Sequence, residues 1–383
     1  MKQTKADPVR FLHLHSTFSA GGKELRCVQL INAFGPGVEH SIVSGVPGAT
    51  GAAQHIAKSA RVRFPDGFPS LQGKPWPWRL HRLAQAMKGY DLVLTYNWGA
   101  MDAVMAHTLF SGPLDLPPLV HHSDGFNEDE QFGLKPSRNL YHKLALGKTH
   151  RLVVPSQTLE AIALEVWEQP FGRVANIPNG IDTMAFAKTP ARNALPGLKK
   201  GDGELWVGTL AGLRPVKNLP RLVRAFAAMP EPWKLVIVGE GPEEATIRAE
   251  AGRLGIAARV LLPGFAPNPS RYVGLFDIFA LSSNSEQFPI SVVEAMAAGL
   301  PVVAPAVGDI ANMVAEENTA LVSQPGDEAA LEQALLSLAA DPDRRVAIGA
   351  ANRLLARARY DESAMIAAYR RLYGGAIGRA LPG

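Results

Sequence analysis

Short apolar runs alternate with segments whose apolar residues return every three or four positions. The runs at 11–15, 39–44, 91–96, 118–122, 151–155 and 174–178 are rich in Val, Leu and Ile and predict strands. Segments 25–34 and 79–87 carry the helical spacing between them. The strands are apolar almost throughout rather than at every second residue, which predicts a parallel sheet covered on both faces. The alternation restarts at 205–210 and continues through 234–238, 259–262, 277–281 and 301–304, with helical stretches at 219–228 and 243–254. No sequence repeat links the halves. Segment 189–204, rich in Pro and Gly with Lys199 and Lys200 adjacent, reads as a loop just after a domain junction. Segment 361–379 reads as a helix with Met365, Ala368, Tyr369 and Leu372 on its apolar side. The pattern predicts a domain over 1–183, a second over 184–360, and a terminal helix over 361–383 packing back on the first.

Composition narrows the function. A chain of 383 residues is long for one domain, and 47% hydrophobic with 19% charged residues is an ordinary globular balance. The net charge of +4 lacks the dense basic stripes of a nucleic-acid binder, so no nucleic-acid partner is expected. It suits a protein that handles anionic nucleotides or approaches anionic lipid. Cys27 is the single cysteine, which excludes an intramolecular disulfide and a cysteine-built metal site. The polar start and the lack of a long apolar run predict a cytoplasmic chain without signal peptide or membrane span.

Doubly wound sheets bind ligands beyond the carboxyl ends of their strands, so chemistry is expected just after the runs. The richest cluster follows 277–281: Ser285, Glu286, Gln287, Phe288, Pro289 and Ile290, with Glu294 about two turns into a helix. Pro289 suits a first helical turn, whose free amides form an anion site. Either glutamate alone also suits an ordinary exposed position. A second cluster after 205–210 places Arg214 and Lys217 at a helix start. Cations there oppose the helix macrodipole and make sense as a phosphate clamp, or as a solvated basic turn. Gly239, Glu240 and Gly241 follow the next strand, but Glu244 stands where the dinucleotide fingerprint has its last glycine. Gly21 and Gly22 follow the first strand, where backbone can approach a ligand closely. His122 ends a first-half strand and suits a sugar hydroxyl, a reacting centre, or a satisfied place in the core.

Together these residues resemble the family-4 retaining glycosyltransferases of the GT-B fold. The matching pieces are Gly21-Gly22, Ile177-Pro178-Asn179-Gly180-Ile181-Asp182, Arg214 with Lys217-Asn218, Val238 to Pro242, Glu286 with Glu294, the run 294–304 and the tail 364–373. The likeness covers nearly the whole chain and is most specific in the second half. It implies an α/β GT-B fold: two Rossmann-like doubly wound domains facing across a cleft. It also implies transfer of a sugar, with retention, from a nucleotide-sugar donor to a glycan, lipid-linked or small-molecule acceptor, in cell-surface polysaccharide or glycolipid synthesis. Retention would proceed by front-face departure and attack, with the leaving phosphate helping to deprotonate the acceptor. By resemblance Arg214 and Lys217 bind the donor diphosphate, Glu286 the sugar hydroxyls and Glu294 the ribose. Gly21 and Gly22 border the diphosphate, and His122 lies near sugar and acceptor. Gly239, Glu240, Phe265, Phe288, Pro289 and Ile290 complete the donor-binding set. The family usually has glycine at 287 and 289, and the departures here bear on which sugar is held.

No cofactor is expected, since the nucleotide-sugar is a substrate, and no metal. Asp341-Pro342-Asp343 has the spacing of a metal-binding DxD, but reads as an N-cap with proline at the first helical position. A sugar-nucleotide epimerase on the same fold and a two-lobed sugar-binding protein are the competing functions, and turnover of a sugar nucleotide would separate the last from both enzymes. Lys135, Arg138, His142, Lys143 and Lys148 recur beside Leu134, Leu140 and Leu144 at near-helical spacing, which suggests peripheral contact with anionic membrane, or a solvated helix face.

Overall fold

The computed structural model describes residues 8–125, 130 and 133–381. The chain divides into two compact units, Met1–Pro178 with Met365–Gly383, and Asn179–Ala364.

The first unit holds strands β1 (Val9–His15), β2 (Val38–Ser44), β3 (Arg61–Arg63), β4 (Leu92–Tyr96), β5 (Leu119–His122), β6 (Arg151–Val154) and β7 (Val174–Asn176). Its helices are α1 (Gly22–Phe34), α2 (Pro77–Ala86), α3 (Met101–Leu114), α4 (Pro136–Ala145) and α5 (Gln157–Glu165). The second unit holds β8 (Leu205–Leu210), β9 (Trp233–Val238), β10 (Val260–Gly264), β11 (Ile278–Ala280), β12 (Val302–Pro305) and β13 (Val322–Ser323). With them run α6 (Leu219–Ala227), α7 (Glu244–Arg253), α8 (Ile290–Ala298), α9 (Ile310–Met313), α10 (Glu328–Ala340) and α11 (Pro342–Arg359), while α12 (Glu362–Ile377) starts in the second unit and belongs to the first from Met365 on. The sheet orders are β3-β2-β1-β4-β5-β6-β7 and β10-β9-β8-β11-β12-β13. Strand pairs in both sheets run parallel.

In both sheets the chain winds outward from a central strand, then crosses to the other side. The reversal falls between β1 and β4 in one sheet and between β8 and β11 in the other. Such switch points open a crevice at the carboxyl ends of the strands. Each sheet is sandwiched because successive side chains leave a strand on opposite faces. On β1, Phe11 joins one buried cluster while Leu12 and Leu14 join another. On β8, Trp206 and Val207 separate in the same way. Met365, Tyr369 and Tyr373, four residues apart, form one stripe of α12 and are buried with Phe11 and Phe34 in the first unit's core.

The expected strands are present with ends moved by up to two residues. β3 and β13 were not expected: they are edge strands of three and two residues, too short for a periodic signal. Asp341 caps α11, accepting a hydrogen bond from the Arg344 amide at 2.9 Å, with Pro342 at the first position.

Candidate active site

The site of the second unit forms where β8 and β11 part. After β8 the chain runs extended through Arg214, makes one tight turn over Pro215–Lys217, and enters α6 through Asn218 at φ 43°. After β11 it loops from 281 to 289 before α8. Because β8 and β11 are neighbours, residues 69 apart in sequence meet: Lys217 Nζ lies 2.5 Å from Glu286 Oε1. The Ser283 hydroxyl donates to the same oxygen at 2.7 Å. The Ser282 hydroxyl donates to the Lys217 carbonyl at 3.0 Å, and the Asn284 amide to the Val216 carbonyl at 2.8 Å. The two loops are thus bonded together by main chain and side chain. Arg214 is exposed on the same loop, and no described residue forms a hydrogen bond or ion pair with its guanidinium.

The turn after β9 packs against the first loop. The Leu213 amide donates to the Glu240 carbonyl at 2.9 Å, and the Gly239 amide to the Gly264 carbonyl at 2.9 Å. Gly239 has φ 146°, and a Cβ there would overlap the Ala211 carbonyl oxygen, so only glycine fits. Glu240 Oε1 accepts from the Phe265 amide at 3.3 Å, and the Phe265 ring stands 68% exposed.

Pro289 is the N-cap of α8 rather than its first residue, and Ile290 opens the helix. The Phe288 ring is buried in the core, edge-on to Tyr360 with centroids 5.6 Å apart. Only its main chain is left for a ligand. Glu294 is partly buried in α8 and receives no hydrogen bond from another described residue. Burial pushes its pKa up to about 8. Sequence reasoning missed the turn after β12. There the Asp309 amide donates to the Gln287 carbonyl at 3.0 Å, and Gly308, at φ 59°, passes so close to the Glu286 and Gln287 carbonyls that a Cβ would overlap them. A glycine after a strand was the available signal.

In the first unit Gly21 is the extended N-cap of α1 and Gly22 its first residue. Lys23 pairs with Glu24, and the buried Arg26 pairs with Asp124. His122 was expected near the sugar. Its ring is fully buried instead: Nδ1 lies 3.1 Å from the Thr95 carbonyl, Nε2 2.7 Å from the Tyr373 hydroxyl, and the ring stacks on Tyr96. Burial, helped by the Arg26 charge, lowers its pKa to about 3, so the imidazole is neutral. That is the satisfied core histidine of the alternative reading.

One group was not foreseen. His13, His15 and Cys27 each bring a ligand atom within 4.8 Å of the others. His13 and His15 share a face of β1, and Cys27 lies opposite on α1. His13 Nδ1 is 3.0 Å from the Tyr96 hydroxyl and 3.4 Å from Cys27 Sγ, while burial pushes the thiol pKa up to about 12. Burial keeps the thiol protonated and the two imidazoles neutral.

The α4 stripe is less uniform than its spacing suggested. His142 is buried and stacked on Trp167, and Arg138 lies over the Trp98 ring and pairs with Glu130. Leu140, Lys143, Leu144 and Lys148 are exposed. Among the described residues no helix is long and apolar enough to cross a membrane.

Two parallel doubly wound sheets, with a cation and a carboxylate meeting at the switch point of the second, define a tandem doubly wound α/β protein. Comparison with known proteins makes the class specific. The family model described as "Glycosyltransferase Family 4" matches residues 20–184, and that described as "Glycosyl transferases group 1" matches 193–355. The chain belongs to the family-4 glycosyltransferases and has the GT-B fold. It is 25% identical over 287 residues to N-acetyl-alpha-D-glucosaminyl L-malate synthase of Bacillus anthracis, covering 72% of this chain and 71% of that protein. It is 32% identical over 199 residues to a GDP-mannose-dependent alpha-(1-6)-phosphatidylinositol monomannoside mannosyltransferase of Mycolicibacterium smegmatis, covering 48% of this chain and 52% of that protein. Anabaena Alr3699/HepE, solved in complex with UDP, superposes with a TM-score of 0.80 at 20% identity over 96% of this chain and 100% of that one, a likeness of fold.

Proposed function

We propose that this glycosyltransferase moves a hexose from a nucleotide-sugar bound on the second unit to an acceptor hydroxyl, with retention and without a divalent metal. The observation that carries the reading is the Lys217–Glu286 pair at 2.5 Å, with Arg214 exposed on the same loop, at the β8/β11 switch point. In this reading Lys217 and Arg214 take the donor diphosphate and stabilise charge as it leaves. Glu286 holds sugar hydroxyls, and Glu294 accepts from the ribose. The main chain around Gly239, Pro289 and Ile290 lines the phosphates, with Phe265 and Glu240 at the edge.

The bond from the anomeric carbon to the phosphate oxygen breaks, and its electron pair leaves with the nucleoside diphosphate. The acceptor oxygen bonds to the same face of that carbon, and its proton passes to the departing phosphate oxygen. His122 contributes by holding β4, β5 and Tyr373 together rather than by touching the sugar.

UDP and GDP are the nucleotides to try first, since UDP is bound by the solved Anabaena protein and the mannosyltransferase relative is named for GDP-mannose. The relatives' names point to L-malate and a phosphatidylinositol mannoside as their acceptors, which supports a small-molecule, glycan or lipid-linked acceptor and a role in cell-surface polysaccharide or glycolipid synthesis. The exposed Leu140 and Leu144 beside Lys143 and Lys148 support peripheral contact with the inner face of an anionic membrane from the cytoplasm.

The test is a thermal-shift and turnover screen of UDP- and GDP-sugars, with product anomer read by NMR. Stabilisation by one nucleotide family and a retained anomer are expected. An inverted product removes retention, and activity lost in EDTA and restored by manganese removes metal independence. Failure to co-sediment with anionic vesicles at low salt removes the membrane contact.

A further inference from the structure

We infer that Ser283 is a positioning residue for Glu286, and that its hydroxyl becomes the holder of that carboxylate once the donor diphosphate draws Lys217 away. The inference rests on the donor-binding reading above.

Two donors converge on one oxygen. Lys217 Nζ at 2.5 Å and Ser283 Oγ at 2.7 Å both address Glu286 Oε1. No described residue hydrogen-bonds Oε2, so a sugar hydroxyl has that oxygen to itself. The two donors are not equivalent. Lys217 carries a mobile charge that the proposed diphosphate, with more negative charge than one carboxylate, attracts more strongly. If Lys217 turned to the phosphates with nothing else on Oε1, Glu286 would lose its orientation at the moment the sugar needs it.

Ser283 is placed so that this does not happen. It is buried, and its position does not depend on the Lys217 side chain. Just before it, the Leu281 amide donates to the Val303 carbonyl at 2.9 Å, which anchors the strand end. On either side of it, Ser282 Oγ and the Asn284 amide bond the carbonyls of Lys217 and Val216 at 3.0 and 2.8 Å. These bonds use the main chain of the cation loop, so they persist when the ammonium swings. Ser283 therefore stays fixed relative to both loops and keeps Glu286 Oε1 bonded.

A hydrogen bond to a charged group is worth enough that its loss should lower turnover on the order of 10- to 100-fold. The experiment uses the full chain and the nucleotide-sugar that the wild type turns over. Ser283→Ala, Ser283→Thr, Glu286→Gln and the Ser283→Ala/Glu286→Gln double variant are compared for kcat, donor KM and calorimetric Kd of the matched nucleoside diphosphate. Ser283→Ala should leave diphosphate affinity within about 2-fold while lowering kcat, and Ser283→Thr should restore most of it by keeping the hydroxyl. In the Glu286→Gln background, Ser283→Ala should cost little more, because it acts through that carboxylate. Full turnover by Ser283→Ala, equal losses of kcat and diphosphate affinity, or additive losses in the double variant would each overturn the proposal while the donor reading stands. A wild type that binds neither UDP nor GDP would overturn both.

Discussion

Replacing Glu294 with glutamine should stabilise the second unit at alkaline pH and weaken nucleotide binding at the same time. In the folded chain the Glu294 carboxyl has its pKa pushed by burial from an ordinary 4.5 to about 8. Above pH 4.5 the unfolded chain releases the proton first, so stability falls as pH rises and the loss is complete above pH 8. At about 1.4 kcal/mol per pH unit, the full shift would cost about 4 kcal/mol at pH 8 and under 1 kcal/mol at pH 5. The side chain keeps some solvent access, so about 2 kcal/mol is the safer figure at pH 8. Glutamine has no charge to desolvate and escapes the penalty. Urea unfolding followed by tryptophan fluorescence suits the assay, since Trp206 and Trp233 are both buried in this unit. The gain of Glu294→Gln over wild type should be near zero at pH 5 and about 2 kcal/mol at pH 8, with nucleoside diphosphate binding weakened at both. An equal gain at the two pH values, or a loss at pH 8, would refute the burial argument. Undiminished nucleotide affinity would refute the ribose assignment.

Arg214→Ala and Lys217→Ala should each lower turnover on the order of 100-fold or more and weaken diphosphate binding, with effects that do not add because both address one leaving group. Glu286→Gln should damage transfer and spare diphosphate binding, and calorimetry showing the reverse would sink that division of roles. Gly239→Ala should abolish nucleotide binding, since its Cβ would overlap the Ala211 carbonyl at φ 146°, and a variant with native affinity would show that the loop tolerates a side chain. Acid should weaken the first unit: burial lowers the pKa of His13, His15, His40, His121 and His122 below 6.5, so below that pH the unfolded chain binds protons first. Its unfolding midpoint should fall between pH 7 and pH 5, and an unchanged midpoint would count against five neutral buried rings.

The fold was legible because its signals are local. Strands such as β4 and β9 are apolar at all but one position, and of the apolar side read for α12, Met365 and Tyr369 are buried, Ala368 and Leu372 are partly buried, and Tyr373 was not read. Two-residue β13 has no period to detect, and its pairing with β12 is a tertiary fact. Much of the candidate site was legible too, since Arg214, Lys217, Glu286 and Glu294 follow strands. What could not be read was contact. Nothing in the spacing of Ser283, Glu286 and Lys217 says that all three share one oxygen, and nothing near Gly308 says that it passes under Gln287. Phe288 shows the same limit, because adjacency to Glu286 in sequence does not decide which way a ring turns.

His122 and Glu294 show why burial has to be weighed with partners. Both are ionisable and withdrawn from water, and both have pKa values moved toward the neutral form. His122 has Thr95 and Tyr373 on its two ring nitrogens, so neutrality costs it nothing and leaves no capacity for a ligand. Glu294 has no hydrogen-bond donor among the described residues, so its carboxyl is held at a loss that a ligand's hydroxyls could recover. Sequence position drew attention to both, His122 at the end of a strand in the first unit and Glu294 in the helix that follows a strand in the second. The difference lies in hydrogen-bonding capacity: the imidazole's is met within the first unit, while no described residue donates to the carboxyl of the second.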